Sequence, residues 1–238
     1  MSGVNALSSS TSDSPPLHQR LLTAFGTWTP EAVVFDCDGL LLNTEQVWVE
    51  TYTEFMAETG VELPADCAAS LVGASADRVV ATVAELVHIP AAEVATKLFT
   101  RHLQDVEQKL CLLPGAQSVL HAAAERVPVA IASNTPGEFL RHKLETAGIA
   151  DVPQHIISVD DVDAPKPAPD MYTQAATRLG VRPAHALAME DSRTGVQSAR
   201  AAGLRVLAVP SGPGEMPDVD ISLRLLDDPG LLAWISAW

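Results

Sequence analysis

Hydrophobic and polar positions change rhythm twice along the chain. In Ala32-Val33-Val34-Phe35 four apolar positions run unbroken into Asp36, Asp38 and Gly39, the pattern of a strand buried on both faces that ends in acids. From Thr44 to Leu110 apolar residues recur at helical spacing instead, through Val47, Trp48, Tyr52, Phe55 and Met56 to a stop at Gly60. This spacing predicts helices near 44–59, 65–72, 76–87 and 91–109, with no strand among them. From Pro114 onward short apolar runs alternate with amphipathic ones: helix 115–126, strand 127–132, helix 137–147, strand 155–159, helix 169–179, strand 186–189, helix 193–202 and strand 204–209. An edge strand at 219–222 and a last helix at 231–238 complete the series.

Strands alternating with helices of this length call for an α/β fold with a doubly wound parallel sheet. Such a sheet binds ligands beyond the carboxyl ends of its strands. The expected organisation is a core of residues 28–43 and 113–238, interrupted after its first strand by a helical insert, 44–112. An insert at that point lies over the ligand edge and can act as a lid. Residues 1–27 are expected to be a disordered or short helical tail, Ser-rich at first, with a helix at 17–25.

Charge narrows the partners. Thirty acidic against fifteen basic residues leave a net charge of −15, which opposes sequence-independent binding to nucleic acid or an anionic membrane. A phosphorylated small molecule must then be held by a local site. The four lysines are Lys97, Lys109, Lys143 and Lys166, so one among acidic loop residues calls for a reason. Three cysteines, Cys37, Cys67 and Cys111, show no metal-ligand spacing and fit a reducing compartment. No run suits a membrane span or a signal peptide. A cytoplasmic protein, monomeric or a small homo-oligomer, is expected.

The candidate chemistry lies at the predicted strand ends. The first delivers Asp36 and Asp38, two carboxylates that repel unless a cation, expected to be a metal, lies between them. The second ends in Ser133-Asn134-Thr135, a hydroxyl and an amide before the free N–H groups of a helix start, which suits an oxyanion. The third runs into Asp160-Asp161-Val162-Asp163-Ala164-Pro165-Lys166-Pro167, where two prolines stiffen the chain around one lysine. The fourth ends in Glu190-Asp191-Ser192, oxygen donors for a hard ion. Singly, each signal has an ordinary meaning as a turn, helix cap or solvated loop. Four of them on the one edge open to ligands are hard to obtain from loop composition.

The ordered set resembles the haloacid dehalogenase (HAD) superfamily, in the group with a helical cap after the first strand that includes beta-phosphoglucomutase and sugar-phosphate phosphatases. FDCDGLLLNTE, ASN, PKPAPD and EDS carry the likeness. It implies a Rossmann-like core and Asp36 as the nucleophile, transiently an aspartyl phosphate. Asp38 would be general acid and then base. Mg²⁺ would be held by Asp36, the Asp38 carbonyl and Asp191, with Glu190 supporting the shell, while Ser133, Asn134 and Lys166 hold phosphoryl oxygens. Thr44 either hydrogen-bonds near the nucleophile loop or caps the first insert helix. Asn43 stands where similar proteins commonly carry Asp. Cys37, between the acids, is expected to be a buried structural residue rather than a reactive thiol.

Specificity is expected in the cap, around Trp48 and the loop from Leu71 to Arg78, where Gly73 permits a turn and Ser75 and Arg78 are candidates for substrate contact. The beta-phosphoglucomutase pattern has two cations where this chain has Val72 and Ala76, and a histidine where it has Trp48. Without them a second, non-transferring phosphate loses charge-assisted contacts. A phosphatase acting on a sugar or polyol phosphate is therefore expected. A hexose phosphate mutase, or a phospho-acceptor regulator that does not turn over, are the alternatives.

Overall fold

The computed structural model describes residues 15–71, 74–212 and 216–238. Within them lie helices α1 (Leu17–Phe25), α2 (Thr44–Glu58), α3 (Ala65–Leu71), α4 (Ala76–Val87), α5 (Ala91–Lys109), α6 (Ala116–Ala124), α7 (Gly137–Thr146), α8 (Asp170–Arg178), α9 (Arg193–Ala202) and α10 (Pro229–Ser236). The strands are β1 (Ala32–Phe35), β2 (Val129–Ala132), β3 (His155–Ile157), β4 (Ala186–Glu190), β5 (Arg205–Ala208) and β6 (Ile221–Ser222). They form one parallel sheet in the order β3-β2-β1-β4-β5-β6. The expected doubly wound α/β architecture is therefore present. Because β1 is flanked by β2 on one side and β4 on the other, the winding reverses at β1, and the crevice for ligands opens at its carboxyl end.

Alternation along the strands builds two unlike faces. Val33, Phe35, Ile131, Leu187 and Met189 point toward α1, α6, α7 and α10, among Leu21, Leu120, Leu140 and Trp234. Ala32, Val34, Ala130, Ala132, Ala186 and Ala188 point the other way, toward Met171, Tyr172, Ala175, Val196 and Ala199 of α8 and α9. Alanines on that face let α8 pack close to the sheet, which brings Tyr172 to the end of β4. The segment at 17–25, expected in a tail, is part of the first packed layer. Leu21 and Phe25 are buried, and Phe25 stacks on Trp28 at 5.7 Å and on Trp234 at 5.0 Å.

Helices α2 to α5 enclose a third apolar cluster built on Tyr52, Met56, Val79, Val83, Val94 and Leu98. Two strand-like crossings join it to the sheet, bridged between Leu42 and Leu112. Asn43 fastens them: its Nδ2 donates to the Lys109 carbonyl at 3.2 Å and its Oδ1 accepts from the Cys111 N–H at 2.7 Å. No single described helix is long and apolar enough to cross a membrane; α4 and α5 pass that test only as a pair, bent by 115°. The expected tail before Pro15, and Val72 and Gly73 of the expected cap loop, lie outside the described residues.

Candidate active site

The register of the sheet sets where the acids emerge. The Asp36 N–H donates to the Met189 carbonyl at 2.9 Å, so the ladder closes and the side chain leaves at the centre of the sheet. The chain then folds back. Gly39 takes φ +83° and its N–H donates to the Leu42 carbonyl at 2.9 Å. A Cβ there would strike the Asp191 carboxylate, so both the turn and the close approach call for glycine.

One half of the site is organised by Lys166, 7% exposed. Its Nζ donates to Asp36 Oδ1 at 2.5 Å, Glu190 Oε1 at 2.6 Å and the Ala132 carbonyl at 2.9 Å. Glu190 is fully buried, and both of its oxygens are engaged. Oε1 also accepts from the Tyr172 hydroxyl at 2.6 Å, and Oε2 accepts from the N–H groups of Asp191 and Ser192 and from the Ser192 hydroxyl. Asn134 is exposed at the cleft. Its amide clasps the backbone of Lys166 through Nδ2 to the carbonyl at 3.2 Å and Oδ1 from the N–H at 2.9 Å, so it orients the lysine loop.

The other half surrounds the Asp38 carboxylate. Ser133 Oγ donates to it at 2.7 Å, Thr135 Oγ1 at 2.8 Å, and Lys143 Nζ through a very short ion pair. Thr135 and Lys143 were not among the residues expected to contribute. Lys143 lies on α7 in register with Leu140 and Leu144, buried like them, and a lysine on the apolar side of a helix is the signal in the sequence that points to it. The free helix start expected for an oxyanion is also partly filled, since the Gly137 N–H donates to Asp160 Oδ2 at 2.8 Å.

These surroundings separate the two acids. Burial pushes the Asp36 carboxyl well above the usual range; Lys166 opposes this, and Glu190, Asp191 and Asp38 reinforce it. Burial and then Glu190 push Asp191 up to about 7. Burial would raise Asp38 as well, but Lys143, Ser133 and Thr135 outweigh it and hold that carboxyl at about 2. Cys37 is driven well above its ordinary value, first by burial and then by Asp38, so its thiol stays protonated. Asp36, Glu190 and Asp191 can each bring an oxygen within 4.8 Å of the others. Three buried carboxylates facing one lysine, with hard oxygen donors throughout, fit a divalent cation.

A cleft of about 760 Å³ opens over these groups, lined by Asp36, Asp38, Ser133, Asn134, Lys143, Lys166 and Asp191 from the sheet side. From the helical segment come Thr44, Glu45, Trp48, Ala74, Ala76, Phe99, His102 and Leu103. Trp48 thus reaches the cleft. Ser75 and Arg78 do not line it: Ser75 caps α4, accepting from the Arg78 N–H at 3.4 Å, and both side chains are exposed on the outside of that helix. The N-cap Ser75 and the buried Val79 and Val83 set the orientation of α4, which turns Arg78 outward.

Residues 33–209 match the model of the haloacid dehalogenase-like hydrolase family. Hexitol phosphatase B of Escherichia coli K12 is 30% identical over 190 residues, covering 76% of this chain and 83% of that protein. The bifunctional riboflavin kinase/FMN phosphatase of Arabidopsis thaliana is 31% identical over 185 residues, covering 76% of this chain and 48% of that protein. The chain spans about half the length of that relative. Among solved structures, CbbY from Rhodobacter sphaeroides in complex with phosphate is 26% identical, covering 85% of this chain and 99% of that one, with a TM-score of 0.66. A family match over most of the chain, phosphatase relatives and a parallel sheet with acids at its centre agree that this is a phosphatase, and the chain belongs to the haloacid dehalogenase-like hydrolase family.

Proposed function

We propose that this phosphatase is Mg²⁺-dependent and hydrolyses a small phosphorylated metabolite, a sugar or polyol phosphate, through an aspartyl phosphate on Asp36. The observation that carries the reading is the buried cluster of Asp36, Glu190 and Asp191. The Asp36 and Asp191 carboxylates, with the Asp38 carbonyl, would hold the ion. Glu190, whose oxygens already serve protein donors, supports that shell. Bound there, Mg²⁺ would offset the repulsion between a carboxylate and a phosphate dianion.

The residues of the chain then divide the work. Asp36 attacks phosphorus, the bond from phosphorus to the ester oxygen breaks, and the leaving oxygen takes a proton from Asp38. Water, giving a proton back to Asp38, attacks the aspartyl phosphate and frees Asp36 and inorganic phosphate. Asp38 is ionised in the resting site, held by Ser133, Thr135 and Lys143. These are the donor types a phosphoryl group takes, so arrival of substrate releases Asp38 to take up one proton from solvent, which it gives to the leaving oxygen and regains from the attacking water. Lys166, fixed by Asn134, neutralises the transferring group.

Hydrolysis is favoured over isomerisation because, among the described residues, no lysine or arginine of the helical segment lines the cleft. A mutase needs such a cation for its second phosphate. A cytoplasmic protein acting on small molecules, monomeric or a small homo-oligomer and independent of nucleic acid and membrane, fits the unpaired cysteines and the charge of −15. Asp36→Asn is expected to lower phosphate release by roughly a thousandfold or more with an unchanged circular dichroism spectrum. Retained activity would sink the mechanism.

A further inference from the structure

We infer that the leaving group accepted by this site carries a flat aromatic ring beside its phosphorylated sugar or polyol, as a nucleoside 5′-monophosphate or flavin mononucleotide does. The inference rests on the phosphatase reading above and narrows its substrate class.

The part of the cleft beyond the acids is walled by rings. Lys143, the partner of Asp38, lies 5.2 Å from the centre of the Phe139 ring. Phe139 meets His102 edge to face at 6.2 Å, His102 meets Trp48 edge to face at 5.1 Å, and Trp48 stacks on Phe99 at 5.8 Å with 22° between the planes. The contacts thus run from the core acid, across α7 to α5 and α2, and out to a phenyl ring that is 47% exposed. Leu103, four residues after Phe99 on α5, is 51% exposed and lines the same cleft. Packing within the third apolar cluster accounts for Trp48. It does not account for Phe99 and Leu103, whose apolar surface is concentrated where the substrate must lie.

Glu45 is the one charged residue among the described residues that the helical segment brings to this wall. Burial, and then Lys143, push the His102 ring down to about 4, so it is neutral at physiological pH, and the described residues of the helical segment add no cation to the cleft. A second phosphate gains nothing beside the Glu45 carboxylate, and the exposed Phe99 and Leu103 offer the hydroxyls of a bare polyol no partner. A planar ring gains a stacking face.

The test compares phosphate release from adenosine 5′-monophosphate and flavin mononucleotide with release from ribose 5-phosphate and ribitol 5-phosphate, which lack the ring. At least one ring-bearing ester is expected to exceed its ring-less counterpart in kcat/KM by roughly tenfold or more. Whichever pair shows the preference separates the nucleoside from the flavin. Phe99→Ala is expected to reduce that ratio by about fivefold, whereas a purely structural role would lower both esters alike. No preference in either pair, or a ratio unmoved by Phe99→Ala, overturns the assignment. Failure of the phosphatase reading looks different, as no ester, acetyl phosphate included, then releases phosphate. Calorimetric binding of the same four compounds to Asp36→Asn then decides: tighter binding of a ring-bearing ester than of its counterpart supports the ring wall, and equal binding overturns it.

Discussion

At the scale of the residue, the site depends on close approaches that leave no room for a methyl group. Gly195, in the first turn of α9, is such a position, because a Cβ there would overlap the Glu190 carboxylate. Gly195→Ala must displace either Glu190 or the helix. A loss of about 2–3 kcal/mol in stability is expected, together with loss of phosphate release, checked by urea denaturation and a phosphate assay. His102 yields a pH dependence of definite sign. Its folded pKa, about 4, lies below the ordinary 6.5 because burial and Lys143 disfavour the imidazolium. Above about pH 6.5 both folded and unfolded chains carry a neutral ring and the residue contributes nothing. As pH falls from 6.5 toward 4, the unfolded chain takes up a proton that the folded ring refuses, and stability declines. His102→Gln is expected to narrow the stability difference between about pH 7 and about pH 4.5 by about 1–2 kcal/mol, measured by denaturation at the two values.

At the scale of the element, the helical segment and the sheet meet through the paired crossings at Leu42 and Leu112. Asn43 satisfies one backbone carbonyl and one backbone N–H there. It touches none of the acids, yet it ties the start of α2, the helix that carries Trp48 to the cleft, to the end of α5. Asn43→Ala leaves the Lys109 carbonyl and the Cys111 N–H without that partner. A loss of about 1–2 kcal/mol is expected, with kcat and KM changing together as they do for hinge residues. Steady-state kinetics beside thermal denaturation check this, and a variant that loses stability with both constants unchanged would remove Asn43 from the hinge. Helix α7 is the other element with two tasks. Its start follows Ser133 and Thr135, and its second turn sends Lys143 back to the same Asp38 carboxylate, so the loop before one short helix and the helix itself together hold that acid.

For the whole molecule, the acidic cluster sits where the sheet reverses its winding, and the proposed binding of Mg²⁺ there would couple to folding. Mg²⁺ at about a hundred times its dissociation constant is expected to stabilise the protein by about 2.7 kcal/mol. Asp191→Asn should lose most of that gain, and thermal denaturation with and without the ion measures both. The fold was legible in the chain because periodicity is local. Four apolar residues before Asp36, the helical stripe from Val47 to Met56 and the alternation after Pro114 each report their own element. Asp36, Asp38, Ser133, Lys166, Glu190 and Asp191 were legible for a related reason: a parallel sheet gathers all its carboxyl ends at one edge, so topology alone brings them together. What the chain could not disclose by spacing depends on distances between elements. Alanines on one sheet face bring Tyr172 to Glu190, α7 turns Lys143 into the core, Asn134 holds the backbone of Lys166 from the cleft, and the packing of α4 directs Arg78 away while α2 and α5 set Trp48 beside Phe99. Sequence by itself determined the architecture and which polar groups gather at the carboxyl edge of the sheet, because local hydrophobic pattern dictates where strands end. Only the tertiary structure decided which side chains hold those groups and what surface faces them across the cleft, because those contacts arise from how separate helices pack.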